Sequence, residues 1–149
     1  MISLKDYINE SNVNDPNAFV ILKPGFIDYF EELKDKLEES KWEILDSCQT
    51  KLSLEQAQEL YKMHSKKDFY NDLCKYMSSD NCICMKCHKD CKDPIKEMTT
   101  IKDKFRDAYA KDDMRNTMHS SDSLENVKRE SKIIFNWIWL KNVKTVNTI

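Results

Sequence analysis

The run Arg115-Asn116-Thr117-Met118-His119-Ser120-Ser121-Asp122-Ser123 gathers a cation, an amide, an imidazole, several hydroxyls and a carboxylate into one short stretch. Such donors suit a phosphorylated ligand. A neutral imidazole exists near physiological pH, so one ring nitrogen can act as nucleophile while the other is oriented by a partner. The run leads into a predicted helix start, where free backbone N–H groups can receive a phosphate. Asp122 is the expected N-cap, with Glu125 three residues later completing a reciprocal capping arrangement. Leu124, Val127, Ser131 and Ile134 follow at helical spacing, with Lys128, Arg129 and Lys132 on the wetter side and Glu130 on the flank between. Glu130 sits about two turns into that helix and meets His119 only if the histidine folds against the helix flank. A lone histidine beside a helix start is more often a surface residue or a partial cap. The surrounding donors carry the chemical reading.

The elements that must position this run can be read from apolar spacing. Ala18 to Leu22 is a short apolar run typical of a buried strand, and Lys23-Pro24-Gly25 ends it by removing a backbone donor and permitting unusual torsions. Phe26, Phe30, Leu33 and Leu37 form a helical stripe within 26–39, and Trp42, Ile44 and Leu45 introduce another strand. Ser53 starts a helix with Ala57, Leu60, Tyr61 and His64 near one side, supported in its first turn by Glu55 and Gln56. A second helix spans 68–77. Asn81 to Cys87 reads as a strand, with Cys82 and Cys84 on one face and Ile83, Met85 and Cys87 on the other.

Composition sets the boundaries. A chain of 149 residues is expected to form one compact domain with enough length to bury a core. Hydrophobic residues at 40% and charged residues at 34% exclude a membrane-spanning or compositionally disordered chain. With 24 basic and 26 acidic residues, the formal charge of -2 argues against broad binding to nucleic acid or anionic membranes. The N-terminal segment lacks the features of a signal peptide and no apolar run is long enough to cross a bilayer, so a cytoplasmic protein is expected. Cys82, Cys84, Cys87 and Cys91 crowd together around His88, which invites a zinc site. They lack a second, distant half, and strand alternation divides them, so packing of free thiols is favoured over metal. His64 and His88 lack the company that surrounds His119 and are read as incidental to the chemistry.

The same residues carry a resemblance running from about Ala18 to Phe135. The sequence resembles the nucleoside diphosphate kinases, whose histidine motif reads Arg-Asn-x-x-His-Gly-Ser-Asp-Ser and is matched here everywhere except Ser120, where the family has glycine. Ala18-Phe19-Val20-Ile21-Leu22-Lys23-Pro24 resembles the family's first strand with its Lys-Pro end. Tyr61, Phe69, Leu73, Tyr76 and Met77 match the two helices that hold the nucleotide base, and Thr100-Ile101-Lys102 resembles a Thr-Ile-Arg motif. The resemblance implies an α+β fold of ferredoxin-like type: a four-stranded antiparallel sheet with helices on one face and extra helices forming the nucleotide cleft.

By the same resemblance, the activity is a ping-pong relay in which His119 takes the terminal phosphate of a nucleoside triphosphate and passes it to a nucleoside diphosphate. Glu130 orients the histidine and Ser121 supports the site. Phe69 and Leu73 lie against the base. Lys23, Tyr61, Lys102 and Arg115 meet the phosphates, and Asn116 meets sugar or phosphate. Mg2+ bridging the nucleotide phosphates is the implied cofactor, with no protein-built metal site, and a homo-oligomer built from dimers is the implied assembly. The expected organisation is an N-terminal arm over 1–16, a kinase-like domain over 17–136 and a C-terminal tail over 137–149 containing the apolar group Trp137 to Leu140.

Departures from the family pattern frame the alternative, a kinase-like nucleotide-binding or scaffold domain with weak or lost turnover. The segment between Cys87 and Thr100 is shorter than the family's loop, so the roles of Lys96, Thr99 and Thr100 are not carried over. Lys102 keeps charge but loses the planar fork of arginine. Lys104, Arg106 and Lys111 are available as substitute cations. Gly25 is the single glycine where about ten would be average for this length. A serine replacing a glycine at a positive torsion is expected to cost strain unless the backbone has rearranged.

Overall fold

A computed structural model describes residues 15–137. The predicted arm, with Ile2, Leu4, Tyr7, Ile8 and Val13, and the tail beyond Trp137 lie outside the described residues. Four strands form the sheet: β1 (Ala18–Leu22), β2 (Glu43–Thr50), β3 (Cys82–His88) and β4 (Met118–Ser120). Their order is β2-β3-β1-β4 and every neighbouring pair is antiparallel. With helices between β1 and β2 and between β3 and β4, this is the ferredoxin-like α+β arrangement.

Both faces of the sheet are covered, which is why β1 is buried along its whole length. On one face, Leu33 and Leu37 of α1 (Phe30–Glu39) and Met98 and Phe105 of α4 (Pro94–Tyr109) pack against Val20, Leu22, Ile83, Met85 and Cys87. On the other face, α2 (Leu54–Leu60), α3 (Tyr70–Met77) and α5 (Leu124–Phe135) contribute Ala57, Leu60, Leu73, Met77, Val127 and Ile134 against Phe19, Ile21, Cys82 and Cys84. The helices expected to form a cleft thus also close the second face. The alternation along β3 divides the cysteines between the two cores, and His88 ties its ring to the Asp15 carbonyl at 2.8 Å and to Asp90 at 2.9 Å.

Local chemistry explains the helix starts. In α2 the Ser53 hydroxyl accepts the Gln56 N–H at 3.0 Å while the Gln56 side chain accepts the Ser53 N–H at 2.9 Å, a full capping box. Pro94 opens α4, where its missing N–H costs nothing, and Asp93 caps it by accepting from Lys96. For α5 the expectation needs correction. Ser123, not Asp122, is the N-cap, its hydroxyl accepting the Asn126 N–H at 3.0 Å. Ser123 holds the extended backbone that a cap requires, and Asp122 instead accepts from the Asn126 side chain at 2.6 Å. The one-residue shift fits a buried face of Val127, Glu130, Ser131 and Ile134, so Glu130 lies inward rather than on a flank.

Two further differences concern backbone strain and the short segment before Lys102. Ser120 lies in β4 and has no positive torsion. Within the histidine motif the positive φ falls at Thr117, at 85°, an unusual value for a β-branched residue. The turn lets the Thr117 carbonyl accept the Lys23 N–H at 2.9 Å, extending the β1–β4 ladder by a bond. Thr100-Ile101-Lys102 lies within α4, whose continuous helix needs no glycine around those residues, and the Thr100 hydroxyl bonds back to the Lys96 carbonyl at 3.1 Å.

Candidate functional site

A cavity of about 630 Å³ opens beside the edge strand β4 and draws its walls from both faces of the sheet. His119 enters it from β4. Its Nε2 bonds the Glu130 carboxylate, and the Ser121 hydroxyl donates to the same oxygen at 3.1 Å. Glu130 is only 3% exposed, so this pairing is formed away from water. Because a carboxylate only accepts, Nε2 carries the ring proton in the neutral tautomer and Nδ1 keeps its lone pair. Nδ1 has no hydrogen-bond partner among the described residues. The Tyr61 ring stands edge-on to the imidazole with centroids 5.6 Å apart. Its hydroxyl is buried without a partner among the described residues, and burial, followed by the Glu130 charge, raises its pKa.

Arg129, next to Glu130 in α5, anchors the Tyr61 side of the pocket. Its guanidinium donates to the Glu59 carbonyl at 2.9 Å and the Leu60 carbonyl at 3.1 Å, closing the C-terminal end of α2 just before Tyr61. The same side chain lies 3.8 Å from the second Glu130 oxygen. One residue therefore holds two walls in register.

Three cations converge on the opposite side. Lys23 follows β1 and donates to the Met114 carbonyl at 3.3 Å, while Lys102 and Arg106, four apart on α4, share one helix face. Arg106 also donates to the Met118 carbonyl at 3.0 Å, and its Nε is buried without a partner among the described residues. Burial, followed by repulsion from Arg106 and Lys102, lowers the Lys23 pKa to about 7. Burial and Arg106 likewise lower Lys102, and burial lowers Arg106. An anion entering the cavity offsets the mutual repulsion of this trio and favours the charged form of each member.

The outer wall is apolar and aromatic. Leu60, Met63, Phe69 and Leu73 line it, with Phe69 46% exposed and the His64 ring 5.7 Å from it. An exposed aromatic face of this kind can stack a flat ring without reading its edge.

The sequence-predicted residues divide. Lys23, Tyr61, Phe69, Leu73, Lys102, His119 and Glu130 all line the cavity, and Ser121 supports it through Glu130. Arg115 and Asn116 do not belong to the wall. The Arg115 guanidinium is taken by Asp112, with Nε 2.7 Å from Oδ2, and the Asn116 amide donates to the Asp113 carbonyl at 2.7 Å. Both close the loop before β4 instead of reaching the cavity. Lys96, Thr99 and Thr100 also lie outside the wall. Arg106, named in sequence only among substitute cations, and His64, read as incidental, both line it. The four-residue step from Lys102 to Arg106 was the available signal for the first, and nothing local marked the second.

A family model described as "Nucleoside diphosphate kinase" matches residues 16–138. Among curated proteins, a nucleoside diphosphate kinase of Thermosipho africanus is 32% identical over 132 residues, covering 79% of this chain and 87% of that one. Another, from Prosthecochloris aestuarii, is 28% identical over 130 residues and covers 79% and 91%. The fold is similar to a crystal structure of the Aquifex aeolicus nucleoside diphosphate kinase, with a TM-score of 0.72, 22% identity, and coverage of 78% of this chain and 92% of that chain.

Proposed function

This chain belongs to the nucleoside diphosphate kinase family, and on that premise we infer that it moves the terminal phosphate of a nucleoside triphosphate to a nucleoside diphosphate through His119. The observation that carries this reading is the His119 ring held by Glu130 at Nε2, with Nδ1 unpartnered among the described residues, inside a cavity that also contains three crowded cations. The Nδ1 lone pair attacks the terminal phosphorus. The bond to the bridging oxygen breaks and its electrons leave with the nucleoside diphosphate. The ring becomes cationic as the new P–N bond forms, and the buried Glu130 carboxylate stabilises that charge through Nε2–H. A second diphosphate then attacks the phosphohistidine, reversing the sequence in the same cavity.

Lys23, Lys102 and Arg106 balance charge as it shifts between phosphate oxygens, and the Tyr61 hydroxyl is a fourth donor. Phe69, with His64 and Met63 beside it, supplies the surface for the base. Magnesium fits this donor set: Asp113 and Asp122 line the cavity, too few for a protein-built cage but suited to an ion carried largely by phosphates. Held near Asp113 and Asp122, such an ion would supply positive charge against the negative charge developing on the diphosphate.

The test is incubation with a triphosphate labelled in its terminal phosphate, followed by a different diphosphate. Acid-labile label on His119 and label in the new triphosphate are expected, and both vanish in His119→Gln. Label on another residue, or none, overturns the reading. A second reading, nucleotide binding with little turnover, is favoured by the pairing of the Arg115 guanidinium with Asp112 rather than with the cavity. Calorimetric nucleotide binding without transfer identifies that case.

A further inference from the structure

Away from the cavity, the register of the sheet assembles a thiol cluster that linear spacing hides. Cys48 of β2 lies directly opposite Cys84 of β3. Cys84 pairs on its other side with Ile21, and Ile21 with His119, so Cys48, Cys84, Ile21 and His119 form one row across the four strands. Cys82, two residues from Cys84 on the same face, has its sulfur 3.8 Å from that of Cys84. Cys87 faces the other core, and Cys91 lies beyond the strand.

Geometry selects one pair of the three. Opposed residues in an antiparallel ladder have Cα atoms about 4.5 or 5.5 Å apart. Both values fall within the span of about 4.4–6.8 Å that a disulfide bridges. Residues two apart along one strand are about 6.6–6.8 Å apart, at the limit of that span, and their Cβ bonds run parallel. Cys82 is further occupied by the Thr50 carbonyl, 3.3 Å from its sulfur. Access separates the other two: Cys48 is half-buried, whereas Cys84 is fully buried. Cys84 lowers the pKa of both Cys48 and Cys82 while its own is held up by those neighbours and by burial, so it is exposure rather than acidity that makes Cys48 the thiol a peroxide meets first.

We propose that Cys48 and Cys84 are a peroxide-oxidisable pair, Cys48 reacting first and Cys84 resolving it into a cross-strand disulfide. The Cys48 thiolate attacks one oxygen of hydrogen peroxide or an alkyl hydroperoxide. The O–O bond breaks, Cys48 becomes a sulfenic acid, and the second oxygen leaves as water or alcohol after taking a proton. The Cys84 sulfur then attacks the Cys48 sulfur and displaces hydroxide, which leaves as water with the Cys84 proton. Two thiols are oxidised by two electrons and the peroxide is reduced by two. A thiol reductant reverses the bond.

The native protein is treated with stoichiometric hydrogen peroxide, its remaining thiols are alkylated, and it is digested with trypsin without reduction. Cleavage after Lys41, Lys51, Lys75 and Lys86 yields Trp42–Lys51, which carries Cys48, and Tyr76–Lys86, which carries Cys82 and Cys84. The expected product is these two peptides joined, lighter by two hydrogens than their sum, with Cys82 alkylated in the fragment spectrum. The link persists in Cys82→Ser and disappears in Cys48→Ser. In Cys84→Ser, dimedone traps Cys48 as the sulfenic acid. A link mapped to Cys82, sulfinic Cys48 without a link, or oxidation of Cys91 ahead of Cys48 overturns the proposal. The fragment mapping uses wild-type protein, so it decides the matter even if a buried-serine variant does not fold.

Discussion

His119, Lys23 and Phe69 express three different uses of burial. His119 depends on a carboxylate that has been removed from water, and Glu130→Gln keeps the shape while deleting the charge. Phosphotransfer is expected to fall by about a hundredfold or more, read as initial rate, with the thermal midpoint close to wild type. Lys23 pays for its position in charge, its pKa having dropped from 10.5 to about 7. Above pH 10.5 both folded and unfolded chains hold it neutral, and below pH 7 both hold it charged. Between them only the unfolded chain binds the proton, so its contribution to stability grows with rising pH across that window and is lost as pH falls to about 7. Lys23→Met removes this rise, which urea unfolding of both proteins at pH 7 and pH 9 will compare. A phosphate restores the charge, so nucleotide binding at pH 8 takes up a proton, visible as a heat that depends on the ionisation enthalpy of the buffer. Phe69 is half-exposed and contributes little to the empty protein. Phe69→Ala is expected to weaken nucleotide binding by about 1–3 kcal/mol, or roughly 5- to 150-fold in Kd, with a nearly unchanged midpoint without ligand.

Among the elements, α5 and the turn into β4 govern how the histidine is presented. Ser123→Ala removes the cap of the helix that bears Glu130 and is expected to cost about 1 kcal/mol in chemical denaturation, whereas Asp122→Ala costs less. Thr117 combines a positive φ with a buried hydroxyl that has no partner among the described residues. Thr117→Gly relieves both, against the lost methyl burial and the entropy of glycine, for a net gain of roughly 1 kcal/mol. A lower thermal midpoint would show that the threonine packing outweighs the strain. These elements also mark how far linear reading reaches. The first three strands and the two-faced character of β3 were legible because alternation and apolar runs depend only on near neighbours, whereas the three-residue β4 carries no such pattern of its own. The N-cap was misplaced by one residue because Asp122 and Ser123 are both good caps, and only the buried face of α5 chooses between them. Arg115 and Asn116 were grouped with the cavity through the family's Arg-Asn-x-x-His motif. Without ligand, the Arg115 side chain pairs with Asp112 and the Asn116 amide donates to the Asp113 carbonyl, leaving Asn116 Oδ1 without a partner among the described residues, a placement made by short-range geometry that no spacing rule contains.

At the scale of the molecule, the cavity is a ledger of long-range contacts. Lys23, Lys102 and His119 could be named from a family pattern, but the contribution of Arg106 required the single helix over Pro94–Tyr109, and that of His64 required the turn at Lys62–His64 to return toward Phe69. Any ligand that binds this cavity binds only the complete fold. Nucleotide at a hundred times its Kd is therefore expected to stabilise the protein by about 2.7 kcal/mol, seen as a concentration-dependent midpoint. The cavity takes Lys23 from just after the first strand and Glu130 from the last described helix. During synthesis a ribosome must release nearly all of the described chain before a nucleotide has anywhere to bind. Shorter nascent chains fold without help from substrate, and products truncated before α5 gain no protection from it.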